Sequence, residues 1–116
     1  MSVIYEIIPI NNWFSPETEK PVIIAGPCSA ETEDQLYNTA MEISRIGKIK
    51  IFRAGIWKPR TRPASFEGVG VKGLKWLKRI KDELGLLTLV EVASPRHIEL
   101  CLKHNVDLLW IGARTT

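Results

Sequence analysis

The chain contains little of several features that would place it in a specialised class. It has 2 cysteines in 116 residues, at positions 28 and 101, too few for the disulfide framework of a small secreted domain. No apolar run is long enough to span a bilayer. The first ten residues carry no Lys or Arg, and Pro9 interrupts their apolar stretch, which argues against a secretory signal. We therefore expect a cytoplasmic protein without a membrane partner.

The charge balance gives little reason to expect a nucleic-acid partner. The formal net charge is +3, and the Lys-rich segment 72–81 has no interleaved aromatic residue beyond Trp76. We expect that segment to be the solvated exterior of a helix. A second basic cluster lies within residues 53–62, which include no carboxylate. It is either a solvated loop or a site for anionic ligands.

Apolar runs alternate with helical patterns along the chain. Four runs suit buried parallel strands, at residues 22–25, 49–53, 86–92 and 108–111. Between them, apolar residues at helical spacing predict three helices, the first capped by Thr32 and the third beginning at Ser94 and Pro95. The order βαβαβαβ predicts an α/β fold in which helices cover a parallel sheet.

Polar residues at the strand ends favour one of two parallel architectures. Cys28, Arg53, Glu91 and Arg114 lie at or just past the carboxyl ends of four successive strands. An active site is built along that rim in a (β/α)8 TIM barrel, whereas an open doubly wound sheet concentrates its site at a switch point. We therefore predict the first half of a barrel over residues 21–116.

Half a barrel would leave edge strands and an uncovered interior face. We expect the chain to be a fragment, or to pair with another half. Residues 1–20 form either a lead-in or an extra strand capping the bottom of the barrel.

The connection over residues 55–70 is long and rich in Pro, Gly and basic side chains. Loops of this length are uncommon unless they are functional. Pro59 and Pro63 fix the backbone on either side of a basic tripeptide, which lowers the cost of ordering it around an anion. The alternative is a stiff, solvated loop.

Four motifs follow one another along the chain: Gly-Pro-Cys-Ser at 26–29, Arg-x-Gly-x-x-Lys-Pro-Arg-Thr at 53–61, Ser-Phe-x-Gly-x-Gly at 65–70 and Ile-Gly-Ala-Arg at 111–114. Together they resemble the 3-deoxy-D-arabino-heptulosonate-7-phosphate (DAHP) synthase family. The chain looks most like the type Iβ branch, some members of which are fused to chorismate mutase. The related 3-deoxy-octulosonate 8-phosphate synthases lack the Lys-Pro-Arg-Thr run.

The resemblance implies a role for each matching residue. Cys28 would be a thiolate ligand of a divalent metal ion, manganese or else iron, cobalt or zinc. Arg53, Lys58 and Arg114 would contact phosphoenolpyruvate, and Glu91 would be a site carboxylate near it. Of these, Lys58 and Glu91 are the candidate catalytic residues. The alternative for Glu91 is a carboxylate that pairs with one of the arginines and holds it in place.

The same resemblance assigns Pro59, Arg60 and Thr61 to the second substrate, erythrose 4-phosphate. It implies a transferase for the first step of the shikimate pathway of aromatic amino acid biosynthesis, active as a homo-oligomer. The other metal ligands of the family have no counterpart in this chain, so we expect the isolated chain to be inactive. Two alternatives remain open: an octulosonate-type aldol transferase, and a non-catalytic half-barrel that binds phosphorylated ligands.

Overall fold

A computed structural model describes residues 22–57 and 68–112 of the chain. The lead-in over residues 1–20 lies outside the described residues. So do Lys58, Pro59, Arg60, Thr61 and Arg114, and their roles stay predictions.

Strands and helices alternate along the described residues as the sequence predicts. The elements are β1 (Ile24–Ala25), α1 (Glu33–Ile46), β2 (Ile51–Arg53), α2 (Val71–Leu84), β3 (Leu87–Val92), α3 (Pro95–Lys103) and β4 (Leu108–Ile111). Strands β1 and β2 each begin two residues later than the apolar runs suggest. Within the described residues, no helix combines the length and apolar character needed to cross a bilayer.

Local side-chain chemistry fixes where the helices begin and end. The Thr32 hydroxyl accepts the backbone N–H of Gln35 at 3.1 Å and caps α1. Ser94 caps α3 in the same way through His97, with Pro95 at the first helical position. Helix α1 ends at Gly47, whose φ of 79° lies in the left-handed region.

The strand order settles the choice between the two parallel architectures. The four strands pair in the order β1-β2-β3-β4, and every pair is parallel. A doubly wound sheet reverses its strand order at the switch point, whereas a barrel adds each strand beside the previous one. The described residues therefore form half of a (β/α)8 barrel.

The two faces of the sheet differ as the interior and exterior of a barrel do. Phe52, Val90 and Val92 are buried in one apolar cluster that also contains side chains from all three helices. Each such fully buried side chain contributes about 1.5–3 kcal/mol. Ile51 and Leu89 belong to the opposite face and are also buried, although that cluster does not include them. The helices thus cover one face, and the other is the concave interior.

A polar cluster closes the sheet at the amino ends of β3 and β4. The Asp107 carboxylate accepts the backbone N–H of Thr88 at 2.9 Å. Its second oxygen lies 2.8 Å from the Lys81 ammonium, which also donates to the Asn105 carbonyl at 2.9 Å. We call these four residues the Asp107 cluster. It satisfies a strand N–H that would otherwise lack an acceptor, so it stabilises the fold.

Candidate functional site

The Gly-Pro-Cys-Ser turn lies against the end of β2 because Gly26 has no side chain. A Cβ added at Gly26 would collide with the backbone carbonyl of Arg53. The far end of the turn is attached to the same place, since the Ala30 N–H donates to the Gly55 carbonyl at 2.9 Å. Cys28 is exposed within this turn. Cys28 and Arg53 therefore belong to one end of the sheet, as the sequence predicted.

Arg53 is the last residue of β2 and lines an open cavity on the concave face. The cavity has a volume of about 540 Å³ and is lined by Ile24, Arg53, Leu89, Leu108, Leu109, Trp110 and Ile111. We call it the arginine pocket. Its other lining residues are apolar, so Arg53 supplies the charge available for recognition.

The Arg53 guanidinium lies over an aromatic ring. Its Cζ is 5.4 Å from the centroid of the Trp110 ring, within the range of a cation–π interaction. Within residues 22–57 and 68–112, Arg53 makes no ion pair with a carboxylate. A partly buried guanidinium of this kind retains its N–H donors for an anionic ligand.

Glu91 lies on β3, two residues beyond the residue that is paired with Arg53. Arg53 is paired in register with Leu89, and Glu91 is paired with Trp110. Because side chains alternate along a strand, Arg53, Leu89 and Glu91 share the concave face. Glu91 is partly buried and makes no ion pair with another described residue. The alternative in which Glu91 holds an arginine is therefore not seen for Arg53.

A backbone hydrogen bond joins the two described ends of the connection between β2 and α2. The Gly70 N–H donates to the Ile56 carbonyl at 2.8 Å. Trp57 stacks on His97, with ring centroids 3.9 Å apart and planes inclined by 2°. His97 lies in the first turn of α3, directly after the carboxyl end of β3, and the sequence did not predict this contact. Trp57 immediately precedes Lys58, so the stack holds the start of the predicted substrate loop against α3.

Burial shifts the pKa values of two groups on α3 in opposite directions. Burial lowers the pKa of His97, and its Nδ1 accepts the Ala93 N–H at 3.0 Å, which the neutral ring allows. Burial raises the pKa of the Cys101 thiol to about 11. Cys101 is a fully buried member of the apolar cluster and has a packing role.

The described residues do not fit a complete metal centre. Among them, no three His, Cys, Asp or Glu side chains form a group that could hold a metal ion. Cys28 offers a single thiol, and one soft ligand does not make a catalytic site.

Taken together, the fold and the site define the first half of a (β/α)8 barrel with a cationic pocket at the carboxyl ends of its strands. The sequence model of the DAHP synthetase I family matches residues 9–116, and the chain belongs to that family.

Individual relatives agree with this family. A phospho-2-dehydro-3-deoxyheptonate aldolase from Thermotoga maritima is 40% identical over 92 residues, which are 79% of this chain and 27% of that protein. The crystal structure of a phospho-2-dehydro-3-deoxyheptonate aldolase (DAHP synthase) from the same organism superimposes with a TM-score of 0.72 at 38% identity. It covers 80% of this chain and 26% of the crystallised one.

A second kind of relative is named for a different activity. A 2-dehydro-3-deoxyphosphooctonate aldolase from Helicobacter pylori is 38% identical over 103 residues, which are 84% of this chain and 37% of that protein. The chain thus spans between a quarter and two fifths of the length of these relatives.

Proposed function

We propose that the protein containing this chain is a transferase that condenses phosphoenolpyruvate with erythrose 4-phosphate to give DAHP and inorganic phosphate. This reaction opens the shikimate pathway. The observation that carries the proposal is Arg53, a partly buried guanidinium that faces the arginine pocket without a carboxylate partner among the described residues. Membership of the DAHP synthetase I family supports the choice of reaction.

In this proposal the basic residues divide between the two substrates. Arg53, Lys58 and Arg114 bind the phosphate and carboxylate of phosphoenolpyruvate, with Arg53 and Arg114 offering paired donors. The short segment Pro59, Arg60 and Thr61 binds the phosphate of erythrose 4-phosphate. Two anions that repel each other in water are thereby held in one orientation, which removes much of the entropic barrier to reaction.

The chemistry joins carbon to carbon and releases phosphate. The methylene carbon of phosphoenolpyruvate attacks the aldehyde carbon, and the aldehyde oxygen gains a proton to become a hydroxyl. Water adds at the phosphate-bearing carbon, and the carbon–oxygen bond to phosphate breaks to leave a ketone and inorganic phosphate. In this proposal Arg53, Lys58 and Arg114 stabilise the charge that develops on the phosphate and carboxylate, with Arg114 at the phosphate. Glu91 holds or moves a proton near the enol phosphate.

We propose Cys28 as one thiolate ligand of a divalent metal ion, with manganese first and iron, cobalt or zinc as alternatives. We expect the full-length protein to act in the cytoplasm as a homo-oligomer. The 116-residue chain alone should give no turnover with manganese, because the described residues supply no complete ligand set.

The test is a coupled assay on the full-length protein with phosphoenolpyruvate, erythrose 4-phosphate and manganese. Formation of DAHP with equal release of inorganic phosphate is expected. A protein that is folded and loaded with metal but releases no phosphate under these conditions would refute the proposal.

A second candidate is condensation of phosphoenolpyruvate with arabinose 5-phosphate, as the name of the Helicobacter pylori relative suggests. The Lys-Pro-Arg-Thr run at 58–61 argues against it. Competition between the two aldehydes decides the matter: preferred turnover of arabinose 5-phosphate would select the second candidate. Binding of both substrates without turnover of either would instead indicate a non-catalytic barrel.

A further inference from the structure

We propose that Trp110 is a positioning residue that holds the Arg53 guanidinium in the orientation needed to bind phosphoenolpyruvate. The inference rests on the proposed function, because it names the anion that Arg53 receives. It adds a residue from β4, which no motif or resemblance identified, to the binding site on β2.

The contact spans an intervening strand. Neighbouring strands lie about 4.8 Å apart, so β2 and β4 are separated by roughly 10 Å with β3 between them. Arg53, Leu89 and Leu108 form one row across the sheet, and Trp110 lies two residues further along β4. Leu89, on the strand between them, is only 8% exposed. The Arg53 side chain therefore reaches across β3 to the Trp110 ring.

The chemistry of the contact suits a binding arginine. A carboxylate partner would neutralise Arg53 and occupy the N–H groups at its edge. An aromatic face instead attracts the flat side of the guanidinium through its quadrupole and leaves the edge donors available. Glu91 shares the concave face and is the paired neighbour of Trp110, yet it makes no ion pair with Arg53. The ring thus holds the cation without using up its charge.

The exposure of the ring fits the same role. Trp110 is 44% exposed on the concave face, where it lines the arginine pocket. An anion bound at Arg53 would cover this region and exclude water from the cation–π contact, which strengthens when it is desolvated. Holding the guanidinium in place before the ligand arrives also reduces the ordering cost of binding.

The experiment measures steady-state kinetics of the full-length protein with Trp110→Leu, Trp110→Tyr and Trp110→Phe. We expect Trp110→Leu to raise the KM for phosphoenolpyruvate about three- to tenfold. Trp110→Tyr and Trp110→Phe should raise it about twofold, because their rings still stack on a guanidinium. The kcat and the KM for erythrose 4-phosphate should stay within about twofold, since the contact serves ground-state binding of one substrate.

Two controls separate positioning from a general structural effect. Trp76→Leu makes the same change on α2, where Trp76 packs against the apolar cluster between the sheet and the helices, and should leave both KM values unchanged. A double-mutant cycle with Arg53→Lys tests the coupling directly. Once the planar guanidinium is gone, Trp110→Leu should change the phosphoenolpyruvate KM by less than about twofold.

Three outcomes would overturn the inference: an unchanged phosphoenolpyruvate KM in Trp110→Leu, equal loss for both substrates, or an aromatic variant no better than Leu. If Trp110→Leu does not fold, the inference is tested with the aromatic variants and with a double-mutant cycle that combines Trp110→Phe and Arg53→Lys. A wild-type protein that binds phosphoenolpyruvate but makes no DAHP refutes the proposed function alone. In that case the Trp110 variants are compared by their Kd for phosphoenolpyruvate, measured by calorimetry. A wild-type protein that does not bind phosphoenolpyruvate overturns both.

Discussion

The two ends of the sheet use their charged side chains in opposite ways. At the amino ends, the Asp107 cluster pairs a carboxylate with an ammonium and a strand N–H at 2.8–2.9 Å. At the carboxyl ends, Arg53 and Glu91 are partly buried and make no ion pair with any residue that the structure describes. A charge paired within the protein contributes to stability, whereas a charge kept available is suited to a ligand. The difference assigns stability to one end and binding to the other.

The largest expected effect comes from removing the available cation. Arg53→Ala should lower kcat/KM for phosphoenolpyruvate on the order of 100-fold in the full-length protein, since charge-assisted hydrogen bonds to the anion are lost. Arg79→Ala is the matched control, because Arg79 pairs with Glu33 and Glu83 on the helix surface. Steady-state kinetics of both variants test the assignment of binding to the carboxyl ends. A loss below about twofold for Arg53→Ala would contradict it.

The two thiols should differ strongly in reactivity. A rise of the Cys101 pKa from 9.0 to about 11 makes its thiolate fraction near pH 8 roughly a hundred times smaller than that of an unshifted thiol. Burial adds a further barrier, whereas Cys28 is exposed at the carboxyl ends. Timed alkylation of the native protein followed by peptide mapping should label Cys28 first, and manganese should slow that labelling. Faster labelling of Cys101 would show that the apolar cluster between the sheet and the helices is open to solvent.

A smaller effect is expected at the amino ends, and on stability alone. Asp107→Ala removes the acceptor of the Thr88 N–H and the partner of Lys81, at a cost of about 1–3 kcal/mol. Thermal unfolding should show a lower Tm, with the phosphoenolpyruvate KM unchanged. Asp107→Asn keeps an acceptor for Thr88 and should cost less. A change in KM without a change in Tm would contradict the assignment of stability to the amino ends and of binding to the carboxyl ends.

The smallest effect concerns pH. Burial lowers the folded-state pKa of His97 below its ordinary value of 6.5, so the unfolded chain binds the proton more readily. The contribution of His97 to stability is therefore fully present above about pH 6.5 and is lost as the pH falls through the folded pKa. Protonation also removes the Nδ1 acceptor of the Ala93 N–H. His97→Asn should flatten the Tm profile between pH 5 and 7, and a profile identical to wild type would exclude His97 as the cause.

The sequence predicted the order of elements because each signal is local. Apolar runs of strand length, the cap at Thr32 and the Ser94–Pro95 helix start report on a few neighbouring residues. Spacing alone is equally consistent with an open sheet. The barrel was predicted from the polar residues at the strand ends, and the strand order confirms it.

The site was only partly predictable for a related reason. Arg53 and Glu91 attract notice as charges at strand ends, and the structure places them at the predicted end. Trp110 went unnoticed because a tryptophan inside an apolar strand looks like a packing residue. The available signal was its position two residues after Leu108, because residues two apart on a strand share a face. Its contact with Arg53 crosses a whole strand, which no local pattern encodes.

The most direct test of the central claim is a crystal structure of the full-length protein soaked with phosphoenolpyruvate. We predict that the phosphate or carboxylate lies within hydrogen-bonding distance of the Arg53 guanidinium, with the Trp110 ring still within cation–π distance of that guanidinium. Phosphoenolpyruvate bound elsewhere, with Arg53 paired to a protein carboxylate, would contradict the account.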